Sequence, residues 1–123
     1  VYHPAIVEGQ VAGAVAQGIA GALFEHHVYD ADGQLQTATL ADYLMPSAAE
    51  LPSLELDHLE DPADNATGAR GVGEGGTLGA AAALANAISD ALGTEVDDLP
   101  LSPEAVHRAA QHAAHLSADA QHH

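Results

Sequence analysis

Apolar residues return every four positions near the start of the chain, at Val7, Val11, Val15, Ile19 and Leu23. That interval draws one stripe along a helix. Beside the stripe sit Gly9, Gly13, Ala14, Gly18 and Gly21. A glycine inside a helix costs roughly 1 kcal/mol against alanine, so this many small residues predict close approach to another backbone or to a bulky flat ligand. A break at Gly18, giving two short helices, is the alternative. Further on, Val28-Tyr29, the turn Asp30-Ala31-Asp32-Gly33 and the run from Gln34 to Leu40 predict a hairpin around an Asp-Gly turn. Pro46 and Pro52 bracket a loop. Leu54 and Leu56 alternate with Glu55 and Asp57, which predicts one strand over 54–59.

Residues 61–76 read as a loop, followed by a second helix capped by Thr77. Its expected inward face is Leu78, Ala81, Ala82, Ala85, Ile88 and Leu92, and Gly93 stops it. Ser102 followed by Pro103 starts a third helix, a cap with proline at the first helical position. Beyond Leu116 the chain turns to Ser, Ala, Asp, Gln and His, so 117–123 is expected to be a disordered tail after a folded segment over 1–116. The fold class expected is therefore α/β in the α+β sense, with three helices beside a hairpin and one further strand.

Composition narrows the function. Eighteen acids against two bases, Arg70 and Arg108, leave a net charge of −16. Nucleic acids and anionic membranes need clustered cations, so neither is an expected partner. The acidity reads as a solubilising surface first and a docking face for a basic partner second. No cationic stretch leads into an apolar one, and no apolar run approaches the roughly 18 residues of a membrane span. A cytoplasmic location is the expectation. The chain has no Cys, which excludes a disulfide framework, a thiol nucleophile and an iron–sulfur cluster of its own. The apolar content is mostly Ala, with Phe24 the sole phenylalanine and no Trp. Such a light core, and mid-domain wording from the first residues, point to a piece of a larger domain.

The densest chemical signal is Gly68-Ala69-Arg70-Gly71-Val72-Gly73-Glu74-Gly75-Gly76. One acid stands among glycines just before a helix start. Glycines let the backbone approach a ligand with no Cβ in the way, and a helix start adds unpaired N–H groups and partial positive charge. A carboxylate on that support could take a proton from a bound hydroxyl; the plainer reading is an exposed turn whose acid only favours the helix. Gly71, Gly73 and Gly76 also fit the dinucleotide-binding spacing. That fit is weak, because polar residues 61–65 stand where a buried strand should enter and 95–98 are too polar for the strand that should follow. Nine histidines include His112 and His115 on one helix face, yet no H-E-x-x-H pattern occurs, so solvated imidazoles are the simpler account.

Four blocks in order carry a resemblance. Residues 7–19, Val7-Glu8-Gly9-Gln10-Val11 through Gln17-Gly18-Ile19, resemble a helix written EGQVxGGVxQGI. Val28 to Leu35 resembles VYDEDGQL, Asp42-Tyr43-Leu44-Met45-Pro46 resembles DYLxP, and Gly68 to Ala80 resembles GAKGVGEGGTIGAP. The pattern is similar, over about residues 4–106, to the C-terminal part of the molybdopterin-binding large subunit of the xanthine dehydrogenase/aldehyde oxidase family. The wording lies nearest its carbon monoxide dehydrogenase-like branch.

The resemblance implies an oxidative hydroxylation of carbon monoxide, an aldehyde or an N-heterocycle with water-derived oxygen. The implied cofactor is molybdenum on molybdopterin, plain or as the cytosine dinucleotide, with a bridging copper in the carbon monoxide branch. The catalytic base matches Glu74. Gln10 matches a glutamine that hydrogen-bonds the pterin, Gln17 a second one near it, and Gly73 a backbone contact close to the metal. Electrons would leave through iron–sulfur and FAD groups on partner subunits. The remaining pterin contacts and the substrate loops belong to sequence that would precede Val1, on the same subunit or on a separate chain. The rival expectations are a cofactor-free module without catalysis and, behind it, a nucleotide-binding module. Two departures stand out: Asn65-Ala66-Thr67 replaces a Pro-Leu pair, and Arg70 replaces a lysine.

Overall fold

The structure, a computed structural model, describes residues 1–120 of the 123. Among them run three helices, α1 (Pro4–Leu23), α2 (Gly75–Leu92) and α3 (Pro103–Ala120). Pro4 opens α1, where its missing N–H costs nothing. Gly18 does not break it. The valine stripe faces inward as the period requires: Val7, Val11, Val15 and Leu23 are half-buried and Ile19 is buried.

α1 and α2 pack against each other over most of their length, and α3 touches α2 only lightly. The close approach has a local cause. A Cβ added at Gly18 would lie 2.5 Å from the Ala80 Cβ and 3.3 Å from the Thr77 carbonyl oxygen. A Cβ at Gly76 would lie 3.1 Å from the Val11 carbonyl oxygen. The other small residues of α1 behave differently. Gly9, Gly13 and Gly21 have nothing within 4 Å of a built Cβ, so of the stripe's small residues only Gly18 and Ala14 meet the neighbouring helix.

α2 starts earlier than the capping argument placed it. Glu74 is the N-cap and Thr77 lies inside the helix, its Oγ1 donating to the Ala14 carbonyl of α1 at 3.1 Å. The hydroxyl therefore crosses to the neighbouring helix. This docking turns Thr77, Ala80, Ala81, Leu84, Ala85, Ile88 and Leu92 inward. It leaves Leu78, at 86% exposure, and Ala82 outside, against the expected face. Gly93 ends the helix in the left-handed region at φ 65°, as its sequence position predicted.

Leu101 is the deepest large side chain, and its N–H donates to the Ala22 carbonyl at 2.6 Å, fastening the approach to α3 onto the end of α1. The Ser102 hydroxyl caps α3 by accepting from the Ala105 N–H at 3.2 Å. The helix continues through 117–120, where the tail was expected to have begun, and the rest of that tail, 121–123, lies outside the described residues.

The β content is far smaller than the sequence pattern promised. The hairpin survives as one antiparallel bridge, Tyr29 to Leu35, with Gly33 at φ 78° in its turn. Asp30 knits that turn, its Oδ1 accepting from the Asp32 and Gln34 N–H groups at 3.0 and 2.9 Å. No strand forms over 54–59 among the described residues. The alternation is there, but no second strand lies alongside to complete a ladder, and a strand exists only through its neighbours. The architecture is three helices with almost no sheet.

By length and composition α1 does qualify as a membrane-crossing helix, with a mean hydropathy of 1.2. Its apolar count comes from small Ala, Val and Gly residues, and one side of it packs on α2.

Candidate functional site

The loop ahead of α2 is built in two halves. Residues 61–70 close on themselves. Asn65 Oδ1 accepts from the Thr67 N–H and hydroxyl, both at 3.1 Å, and from the Ala69 N–H at 3.2 Å, while its Nδ2 donates to the Ala69 carbonyl at 3.0 Å. Gly68 takes φ 66°, which only glycine adopts without strain, and its carbonyl accepts from the Ala63 N–H at 3.1 Å. Arg70 then reaches back to Asp61. Residues 71–73 are the other half, a bare span with open space beside Gly71 and Gly73. Among the described residues no hydrogen-bond partner is found for the Gly73 N–H.

Glu74 follows at the N-cap of α2. Its carbonyl accepts from the Thr77 N–H at 3.1 Å, as a cap residue's should. Its side chain does not cap the helix. The short side chains of Ser, Thr, Asp and Asn are the ones that reach first-turn N–H groups from this position; the longer Glu74 carboxylate does not, and it stands exposed.

Two contacts locate Glu74 relative to α1. Gly76, two residues on, sits against Val11 and Ala14, and Thr77 bonds to Ala14. The base candidate thus comes to the stretch of α1 that separates Gln10 from Gln17. Those two glutamines are seven residues apart, which puts them on one helix face. Both are exposed, and Gly9, Gly13 and Gly21 beside them stand open. Gln10 and Gln17 thus flank the part of α1 on which Gly76 and Thr77 dock, and Gly73 and Glu74 immediately precede those two residues in the chain. No direct bond joins them to one another.

That surface suits a flat, polar ligand. An amide offers a donor and an acceptor at each glutamine, the bare glycines admit a large group edge-on, and the helix start supplies N–H groups. The histidines assemble nothing comparable: no cluster of three metal-ligating side chains occurs among the described residues. Nor does any strand enter Gly71 or follow α2 within them, which removes the frame that the dinucleotide-binding spacing would need.

Tyr43, from the third of the four blocks, lies apart from this neighbourhood. Its ring stacks on His27 with centroids 4.9 Å apart. Desolvation, then a hydrogen bond and the negative charge of Glu25, push its phenol above the usual range. The two residues pin the segment after α1.

Sequence reasoning did not find the Asn65 hub or the Arg70 contact to Asp61. A signal was present, since Asn65 followed three residues later by Gly68 is a type I turn pattern. Thr77, expected to cap α2, bonds across to α1 instead.

A profile described as "Molybdopterin cofactor-binding domain" matches residues 1–52. The chain is 46% identical over 110 residues to the gamma subunit of the 6-hydroxypseudooxynicotine dehydrogenase complex of Paenarthrobacter nicotinovorans, covering 86% of this chain and 14% of that protein. It is 38% identical over 106 residues to a xanthine dehydrogenase molybdenum-binding subunit of Escherichia coli, covering 85% and 14%. With the carbon monoxide dehydrogenase large chain of Hydrogenophaga pseudoflava it shares 38% over 90 residues, 72% of this chain and 11% of that one. Among solved structures, quinoline 2-oxidoreductase from Pseudomonas putida superposes with a TM-score of 0.81 at 38% identity, covering 88% of this chain and 14% of that chain. The Cu,Mo carbon monoxide dehydrogenase superposes at 0.83 with 30% identity, covering 90% and 14%.

These are molybdenum-dependent oxidoreductases, and the three-helix arrangement is a piece of their cofactor-binding architecture. The chain belongs to the xanthine dehydrogenase/carbon monoxide dehydrogenase family, matching a C-terminal segment of its molybdopterin-binding large subunit. It spans 14% of the length of the first of these relatives.

Proposed function

We propose that this chain supplies the catalytic base and part of the cofactor cradle of a molybdenum hydroxylase acting on an aromatic N-heterocycle. The observation that carries the reading is the Glu74 carboxylate: it occupies a helix N-cap without capping the helix, on a glycine support beside the α1 stretch between Gln10 and Gln17. Molybdenum on molybdopterin, plain or as the cytosine dinucleotide, when bound supplies the water-derived oxygen and takes up the electron pair.

Gln10 would hold the pterin edge through its amide, and Gln17, on the same face, would lie near it. The Gly73 N–H would donate to the group close to the metal. One Glu74 carboxylate oxygen would accept the proton of the hydroxyl to be transferred to the substrate. A metal acidifies the water it holds, so a carboxylate of ordinary basicity suffices.

The substrate class rests on identity. In sequence the chain shares 46% with the 6-hydroxypseudooxynicotine enzyme against 38% with the carbon monoxide dehydrogenase large chain, and among solved structures 38% with quinoline 2-oxidoreductase against 30% with the Cu,Mo carbon monoxide enzyme. A bridging copper belongs only to a carbon monoxide substrate and has no assigned ligand in this chain. Electrons must leave by iron–sulfur and flavin groups on other subunits or domains, since cluster ligation needs thiolates and this chain has no Cys.

The test is Glu74→Gln in the assembled enzyme. Molybdenum content should stay at the wild-type level while turnover falls by about 10²–10⁴-fold, the contribution of a general base. Turnover within about threefold of wild type would remove Glu74 from the mechanism.

A further inference from the structure

The Glu74 base is suspended between two anchors, and only one of them belongs to the helix pair. On its C-terminal side, Thr77 and Gly76 fasten the start of α2 to α1. On its N-terminal side, the last residue with side-chain contacts before the bare span is Arg70. Its Nε donates to the Asp61 carbonyl, and its terminal nitrogen pairs with Asp61 Oδ2 at 3.0 Å and reaches the Pro62 carbonyl at 3.4 Å. Those contacts close the loop that Asn65 organises from within. Gly71 and Gly73 follow, with wide backbone freedom, so the direction in which the span leaves Arg70 matters to where it delivers Glu74.

We propose that Arg70 is a positioning residue for the base, holding the upstream end of the glycine span by its grip on Asp61 and Pro62. The proposal rests on the reading of Glu74 as the base. A guanidinium suits the task because its planar fork addresses two carbonyls and a carboxylate in fixed directions. An ammonium keeps the charge but not the fork. Both partners are largely exposed, at 56% and 81% for the Arg70 and Asp61 side chains, so the pair adds little to the stability of the fold. Its effect is on geometry, and small displacements of a catalytic group are expensive.

In the assembled holoenzyme, Arg70→Ala is expected to lower kcat on the order of 10- to 100-fold. KM, molybdenum content and melting temperature should be unchanged. Arg70→Lys should recover part of the loss. Arg108→Ala, the other arginine, on the exposed side of α3, should change nothing. The double variant Arg70→Ala with Glu74→Gln should turn over no more slowly than Glu74→Gln alone, because a displaced base that is already absent cannot matter twice. If Glu74→Gln abolishes turnover and Arg70→Ala stays within about twofold of wild type, the positioning role is overturned and the base stands. Loss of molybdenum in Arg70→Ala, or an additive double variant, also overturns it, since either makes Arg70 act apart from Glu74. Retained turnover in Glu74→Gln overturns both.

Discussion

Exposure gives the glutamines their meaning. A glutamine on the outer face of a packed helix is normally a solvated surface amide. Gln10 and Gln17 differ from that case in their surroundings: the glycines beside them leave the backbone bare, and the start of α2 arrives between them. If Gln10 hydrogen-bonds the pterin, Gln10→Ala in the assembled enzyme should lower molybdopterin occupancy. Gln36→Ala, in the turn that Asp30 organises, should leave it unchanged. Equal occupancy by pterin fluorescence in the two variants would return Gln10 to the status of a surface amide. At this scale Glu74, Gln10 and Gln17 are singled out because each stands in a block with a distinctive spelling, and the variants decide their roles. The Arg70 and Asn65 contacts were not, because nothing in the identity of an exposed arginine announces which carbonyls it will reach.

At the scale of elements, periodicity located all three helices, since an apolar stripe, a stop glycine and a Ser-Pro start are local signals. It misjudged how α2 is turned. Which side of an Ala-rich helix faces inward depends on the partner surface, and here Gly18, Ala14 and the Thr77 hydroxyl set the docking while Leu78 stays outside. The strand over 54–59 failed for a related reason: alternation describes a face but cannot provide the neighbouring strand. The glycines of α1 turn this into a measurement. Gly18→Ala would bring its methyl to 2.5 Å from the Ala80 Cβ, with no flexible side chain to give way. It should lower the melting temperature of this chain, at a cost of roughly 1–3 kcal/mol. Gly13→Ala meets nothing within 4 Å and should raise stability by up to about 1 kcal/mol through helix propensity. If the open face holds the cofactor in the assembled enzyme, Gly13→Leu should instead lower cofactor occupancy there. A destabilised Gly13→Ala in the 123-residue chain would show that the face is already packed.

For the molecule as a whole, charge and core size point the same way. The buried apolar set is Ala14, Ile19, Ala20, Ala22 and Leu101. Methyl groups dominate it, and each buried methylene-sized group is worth only about 0.8 kcal/mol. Against this stands a net charge of −16, whose self-repulsion opposes compaction. Salt screens that repulsion over a Debye length that falls from about 30 Å at 0.01 M to about 3 Å at 1 M. The melting temperature of the 123-residue chain should therefore rise steadily with sodium chloride. A flat salt response would show that the acids are spaced widely enough not to matter.

Gln10, Gln17, Gly73 and Glu74 are all exposed, and none of the described residues covers them. A pterin laid there would keep one side in water, where hydrogen bonds to two amides and a backbone N–H are worth little in net terms, about 0.5–1.5 kcal/mol each. Tight retention of a group that size requires burial of most of its surface. Large apolar side chains also stand exposed near the same edge, Tyr2 at 80% and Ile6 at 57%, where a covering surface would meet them. The 123-residue chain should accordingly contain no stoichiometric molybdenum by elemental analysis. It should reduce no dye with an N-heterocycle, even when supplied with molybdopterin. Joining the large-subunit sequence that supplies the cover, together with iron–sulfur and flavin partners, should restore both metal and turnover. If the short chain alone held one molybdenum per molecule, the cofactor would have to lie elsewhere than on the α1 face, and the roles given to Gln10 and Gln17 would fall with it.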